Sequence, residues 1–269
     1  MASNTTASNE EFDFFVLFAY MISVLGICLN GTIIFVILRY PRMKTVPNIF
    51  ILNLAVADLL FVMGLPLIAH QTEDVPWRFG KFICKLSNGI DALNQFSGVF
   101  ILVLMAFDRY LAIVHCMRSI TIKMRSIINA QCVIWCAWVF SLCITLPAWI
   151  YGDLFEKRTN YYTCVLHMNP NVQLIWAFMS FCFGFALPLM FIAVFYFLIF
   201  LDLRKTSRDT TRMDSNTAKL VKVVLVIVFA FAICWTPFYC AMFATMFFLD
   251  EHREANHKCD VSKKADGSI

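Results

Sequence analysis

Six long apolar runs constrain this chain more than any other feature: Phe14–Leu38, Val46–Ala69, Phe82–Val114, Ile127–Tyr151, Val172–Leu201 and Leu220–Leu249. Each reaches the roughly 20 residues that a helix needs to cross hydrocarbon. In lipid every backbone N–H and C=O must be satisfied within the protein, which leaves helices or closed barrels. Composition agrees, with 60% hydrophobic and only 15% charged residues among 269. Soluble domains carry about 25% charge. The sequence therefore predicts an all-α, polytopic transmembrane helical bundle.

Charge sets the expected orientation. The linkers after the first, third and fifth runs are rich in Lys and Arg, including Arg39, Arg42, Lys44, Arg118, Lys123, Arg125, Arg204 and Lys205. The alternate linkers are mildly acidic, with Glu10, Glu11, Asp13, Glu73 and Asp74. The positive-inside rule then places the basic linkers in the cytoplasm and the N-terminus outside. These basic residues fall at membrane ends rather than on one patch, which argues against nucleic-acid binding. Residues 1–13 read as an extracellular N-terminus, 14–249 as the bundle and 250–269 as a polar, extracellular tail. Asn4-Thr5-Thr6 is a glycosylation triplet on the external side.

Most of the 11 cysteines lie within apolar runs, where they act as small hydrophobes. Cys84, Cys164 and Cys259 fall outside the membrane, where disulfides persist. A Cys84–Cys164 bridge would tie the linker between the fourth and fifth runs over the mouth of the bundle.

Acids within apolar runs are costly and need a partner or a function. Asp58 sits midway along the second run, with Asn30 and Asn94 as polar residues able to face it. Asp91 begins "DALNQF", about two helical turns or roughly 10 Å inside Cys84. Gln95 shares its face at i+4 and Asn94 at i+3. No run offers Asp91 a basic partner, so it suits an incoming cation; an internal ion pair is the plainer alternative. Asp108 and Arg109 lie about 26 Å further along the same helix, at its cytoplasmic end. Pro188 and Pro237 each remove a helical hydrogen bond and predict kinks. Trp235 and Tyr239, four apart around Pro237, turn large rings to one place. No nucleophile–base pair or metal spacing marks an enzyme, and no internal repeat marks a transporter.

Taken in order, Asn30, "NLAVAD", Trp77 in "WRFG" before Cys84, "DRY", Trp138, Pro188, Tyr196 and "CWTPFY" resemble the rhodopsin-like, class A G-protein-coupled receptors. Within that class "DALNQF" is similar to the somatostatin receptors and, more loosely, to the opioid receptors. The resemblance implies a seven-helix receptor fold, of which six spans are present here. After Leu249 no apolar run remains, and the Asn-Pro-x-x-Tyr motif is absent.

The resemblance also implies function. It assigns a cationic neuropeptide as ligand, held by Asp91 and Gln95 over an aromatic floor of Trp235, Phe238 and Tyr239. Asp108, Arg109 and Tyr110, with Tyr196 and Pro237, would form the switch to a heterotrimeric G protein of inhibitory type. Asp58 and Asn94 match the family's sodium site, making sodium an allosteric ligand and leaving no other cofactor. The alternative is a truncated, non-signalling six-span variant that pairs with a full-length receptor, or retains it, as a dimer.

Overall fold

The structure is a computed structural model that describes residues 2–69, 71, 75–115, 123, 125–206, 222, 225–226 and 228–244, with side chains from residue 16 onward except 158 and 203–206. Helix α1 (Ala2–Arg39) leads through a short 3-10 turn at Pro41–Met43 into α2 (Val46–Ala69). Helices α3 (Gly80–Val114) and α4 (Ile127–Tyr151) follow. A hairpin of β1 (Gly152–Arg158) and β2 (Tyr161–Leu166) then precedes α5 (Pro170–Phe181). A π-helical turn at Cys182–Ala186 joins α5 to α6 (Leu187–Thr206). The last described helix is α7 (Val228–Ala244).

Among the described residues, five helical stretches are long and apolar enough to span a membrane: Val16–Arg39, α2, α3, α4 and Pro170–Asp202. These match the first five apolar runs. Of the sixth run only α7 is described as continuous helix, and it is shorter. Helix α1 also starts at Ala2, twelve residues before the apolar run opens, so its backbone takes in the polar N-terminal residues. The tail 250–269, Cys259 and the Asn4 side chain lie outside what is described.

Helix α3 is the axis of the bundle. Half of its most apolar window is buried, against 11–22% in the other four spans. It packs on α2, α4 and α6. The core joins Phe50 of α2, Ile101, Leu102 and Met105 of α3, Ile134 of α4 and Ile192 of α6. Large apolar side chains such as Leu29, Phe35, Trp135 and Phe178 point outward instead. In water such faces would drive aggregation; against acyl chains they are solvated.

Pro188 explains the π turn. Its ring would crowd the carbonyl four residues back, that of Gly184, and it has no N–H to offer there. Widening the turn to i→i+5 bonding, seen as Leu187 N–H donating to the Cys182 carbonyl, lets the helix pass this point. The helix resumes at once in α6. Pro237 is carried inside the helical stretch of α7.

Candidate functional site

One end of the bundle is closed by the hairpin. Gly80 adopts φ +78°, the left-handed conformation that glycine enters without strain, and starts α3 there. The preceding loop is fixed by Trp77, which donates its indole N–H to the Gly80 carbonyl (2.9 Å) and its backbone N–H to Tyr162 of β2 (2.7 Å). The Cys84–Cys164 disulfide then ties α3 to β2 across 80 residues of sequence. Asn88, one turn on, donates to the Cys84 carbonyl (2.9 Å) and to Cys164 Sγ (3.2 Å).

Gln71 completes this closure. Its Oε1 accepts the Cys164 N–H (2.7 Å) and its Nε2 donates to the Cys164 carbonyl (3.1 Å). Leu154 faces Cys164 across the hairpin. A residue of an antiparallel ribbon directs both backbone groups to one side, so the carboxamide serves the outer edge of β2 as another strand would. On the rim, Lys81 pairs with Asp153 (2.7 Å), and Lys85 donates to the Ile150 carbonyl (2.9 Å). The Lys81 ammonium, followed by the Leu154 N–H, holds the Asp153 carboxyl below its ordinary pKa.

Beneath the hairpin, Asp91 is exposed on α3 and has no ion pair or side-chain hydrogen bond among the described residues. Gln95, one turn below, donates to the Tyr239 hydroxyl (2.6 Å), which donates in turn to the Ser180 carbonyl (3.0 Å). Tyr239 is among the most buried side chains of the protein, at 2% exposure. Trp235 packs on both Phe238 (centroids 5.4 Å) and Tyr239 (6.1 Å), while Phe181 and Phe185 flank the tyrosine ring at 5.5 and 5.2 Å. The structure thus brings Gln95, Trp235, Phe238 and Tyr239 together. Phe238 remains half exposed at 51%.

Midway down, the polar residues are more dispersed. Asn30 donates to the Gly26 carbonyl on its own helix (3.0 Å). Asp58 is half buried and has no hydrogen-bond partner among the described residues. Among the described residues the Asn94 Oδ1 is buried without a partner, and the gap beside it, bounded by Ala57, Leu60, Ile90, Leu93 and Trp138, is too narrow for a water molecule. The Trp138 indole N–H donates to Asn53 Oδ1 (3.2 Å), joining α4 to α2. Among the described residues no three His, Cys, Asp or Glu side chains cluster as metal ligands.

At the opposite end, Asp108 and Arg109 are buried and paired with each other. A second guanidinium joins them: Arg125, just before α4, donates from Nε to Asp108 Oδ1 (2.8 Å). Each Asp108 oxygen therefore has its own arginine. Ser126 follows as the N-cap of α4, accepting the Asn129 N–H (3.2 Å). Tyr110 contacts His115 through its hydroxyl (3.1 Å) and stacks near Phe195. The Tyr196 hydroxyl is buried without a hydrogen-bond partner among the described residues.

Three contributors escaped sequence reasoning. Arg125 looked like one more basic linker residue. Gln71 sits in a linker 93 residues from its partner. Gly184 carries no motif, yet a Cβ there would lie 3.0 Å from the Tyr239 hydroxyl and 3.4 Å from Gln95 Nε2.

Residues 29–266 match the sequence profile described as 7 transmembrane receptor (rhodopsin family). The chain is 36% identical over 226 residues to somatostatin receptor type 2 of Mus musculus, covering 82% of this chain and 60% of that receptor. It is 38% identical over 226 residues to the type 5 receptor of Rattus norvegicus, covering 81% and 61% respectively. With the type 4 receptor of Rattus norvegicus it shares 34% identity over 241 residues, 88% of this chain and 62% of that one. The chain thus spans about three-fifths of the length of these relatives. A profile match over most of the sequence, on a bundle with α3 at its axis, shows that this multi-pass membrane chain belongs to the rhodopsin-like seven-transmembrane receptor family.

Proposed function

We propose that the chain is the ligand-binding and switch portion of a receptor for a cationic, somatostatin-like peptide. One observation carries this reading: Asp91 stands exposed on the central helix, without a counter-charge among the described residues, between the disulfide-tied hairpin and the Gln95–Tyr239 floor. A carboxylate so placed offers a charge-assisted hydrogen bond to an entering ammonium or guanidinium. Trp235 and Phe238, packed around Tyr239, supply apolar surface at that floor. Family membership and the somatostatin receptors among the relatives support peptide as the ligand class. The N-terminus and hairpin then face outside, in the plasma membrane, as the basic linkers imply.

In this reading Asp108 holds Arg109 at rest, and release of Arg109 toward a heterotrimeric G protein of inhibitory type transmits binding. Tyr196, whose hydroxyl lacks a partner among the described residues, and Pro237 belong to the same movement. Asp58 and Asn94 would hold a sodium ion as allosteric ligand, since both present oxygen atoms without hydrogen-bond partners among the described residues. The ion would supply a positive charge between α2 and α3.

The test is peptide binding at the surface of cells expressing the chain. Somatostatin should bind, and the same peptide with its amines acetylated should bind at least tenfold more weakly. Equal affinity of the two would refute a cation-recognition site.

A further inference from the structure

The Tyr239 hydroxyl has a single proton, and the Ser180 carbonyl can only accept one. That proton therefore lies on the 3.0 Å bond to Ser180, and Gln95 must donate its Nε2–H along the 2.6 Å bond. One oxygen atom thus joins three segments: α3 through Gln95, α5 through Ser180, and α7 through Tyr239. It sits against Gly184 in the π turn, where a Cβ would meet the hydroxyl oxygen at 3.0 Å and Phe96 Cε1 at 3.4 Å. Phe96 is fully buried and Tyr239 nearly so, so a Cβ at Gly184 would require the ring to shift by a few tenths of an ångström within packed surroundings. A buried hydroxyl deprived of both partners is strongly disfavoured.

We infer that Gly184 is a positioning residue, and that the Gln95–Tyr239–Ser180 chain it admits is a latch holding α7 against α3 and the π turn. Movement of α7 away from α3 breaks the Gln95 bond, and movement away from α5 as well breaks the Ser180 bond, so the latch gives the resting bundle a discrete closed position. The ring contacts of Tyr239 with Phe181, Phe185 and Phe238 do not need the hydroxyl, which makes the latch separable from aromatic packing. No ligand enters this inference, and its failure would leave the peptide reading standing.

The test uses the full chain in detergent micelles, with unfolding midpoints followed by tryptophan fluorescence. Gly184→Ala and Tyr239→Phe should each lower the midpoint by on the order of 2–5 °C. The double variant should fall no more than about 1 °C below Tyr239→Phe, because without the hydroxyl the 3.0 Å contact is gone and only the looser 3.4 Å contacts with Phe96 and Gln95 remain. An equal cost of Gly184→Ala on both backgrounds would overturn the inference. Should Gly184→Ala fail to fold, the pair Gln95→Leu and Tyr239→Phe serves instead: sub-additive losses support the latch and additive losses refute it. Amide hydrogen exchange gives an independent readout. In Tyr239→Phe it should quicken in residues 228–244 and stay unchanged in 127–151; an equal rise in both would count against a latch.

Discussion

Replacing Gln71 by Met keeps the side-chain length and removes both hydrogen bonds to Cys164. Each bond contributes about 0.5–1.5 kcal/mol net. Gln71 is half buried, so water can take up part of the demand of the exposed strand edge. The expected loss is therefore about 1–2 kcal/mol rather than the full sum. For a chain of this size that corresponds to a fall of roughly 2–6 °C in the unfolding midpoint. The disulfide still holds β2 to α3, so the hairpin should loosen at its edge rather than detach. Its signature should be faster cleavage of Cys84–Cys164 by a small-molecule reductant, measured by thiol release at a temperature where the bundle stays folded. A Gln71→Met variant that unfolds within about 1 °C of the parent, with unchanged reduction kinetics, would refute the view that this carboxamide substitutes for a strand.

Asp108→Asn removes the negative charge and one of the two oxygens that accept from Arg109 and Arg125, and leaves Arg109 buried without a counter-ion. Its expected cost is about 3–5 kcal/mol, whereas Arg125→Gln, at a partly exposed site, should cost below about 1 kcal/mol; chemical denaturation of the two variants checks the order. Trp138→Phe deletes the bond to Asn53 and should destabilise by about 1–2 kcal/mol, read the same way. The Asp153 carboxyl is held below its ordinary pKa by Lys81, so its contribution is present above about pH 4 and is lost as pH falls further. Midpoints measured on acidification should accordingly fall more in the parent than in Asp153→Asn.

The parts of this architecture that depend on hydrophobic length were readable directly. A run such as Ile127–Tyr151 has one solution in lipid, and α4 has those same bounds. The disulfide was readable because topology left few cysteines on one side of the membrane. The apolar pattern marks the hairpin only as a linker, although Tyr161, Tyr162, Thr163 and Val165 have strand character and Asn160 takes the left-handed turn position at φ 62°. A two-stranded ribbon is marginal alone. Here it is held by Gln71, Trp77 and Cys84, all distant in sequence.

The same distance hid other partners. The acids at Asp91 and Asp108 announced themselves by their cost in an apolar setting. Arg125 did not, because a basic residue beside a membrane is the ordinary case. Nor did Gly184, whose importance lies in what its missing side chain admits. Sequence position places Asn30 where it could face Asp58, whereas in the structure it donates one amide hydrogen to the Gly26 carbonyl of its own helix.

The most direct test of the central reading is the affinity of Asp91→Asn for somatostatin, set beside that of the parent on intact cells. Asparagine keeps the shape and removes the charge, so a lost charge-assisted hydrogen bond should weaken binding by about 1.5–3 kcal/mol, or roughly 10- to 150-fold. The acetylated peptide should bind parent and variant alike, since the charge it would offer is already gone. Undiminished affinity of Asp91→Asn for the cationic peptide, at equal surface expression, would contradict the assignment of Asp91 as the counter-ion.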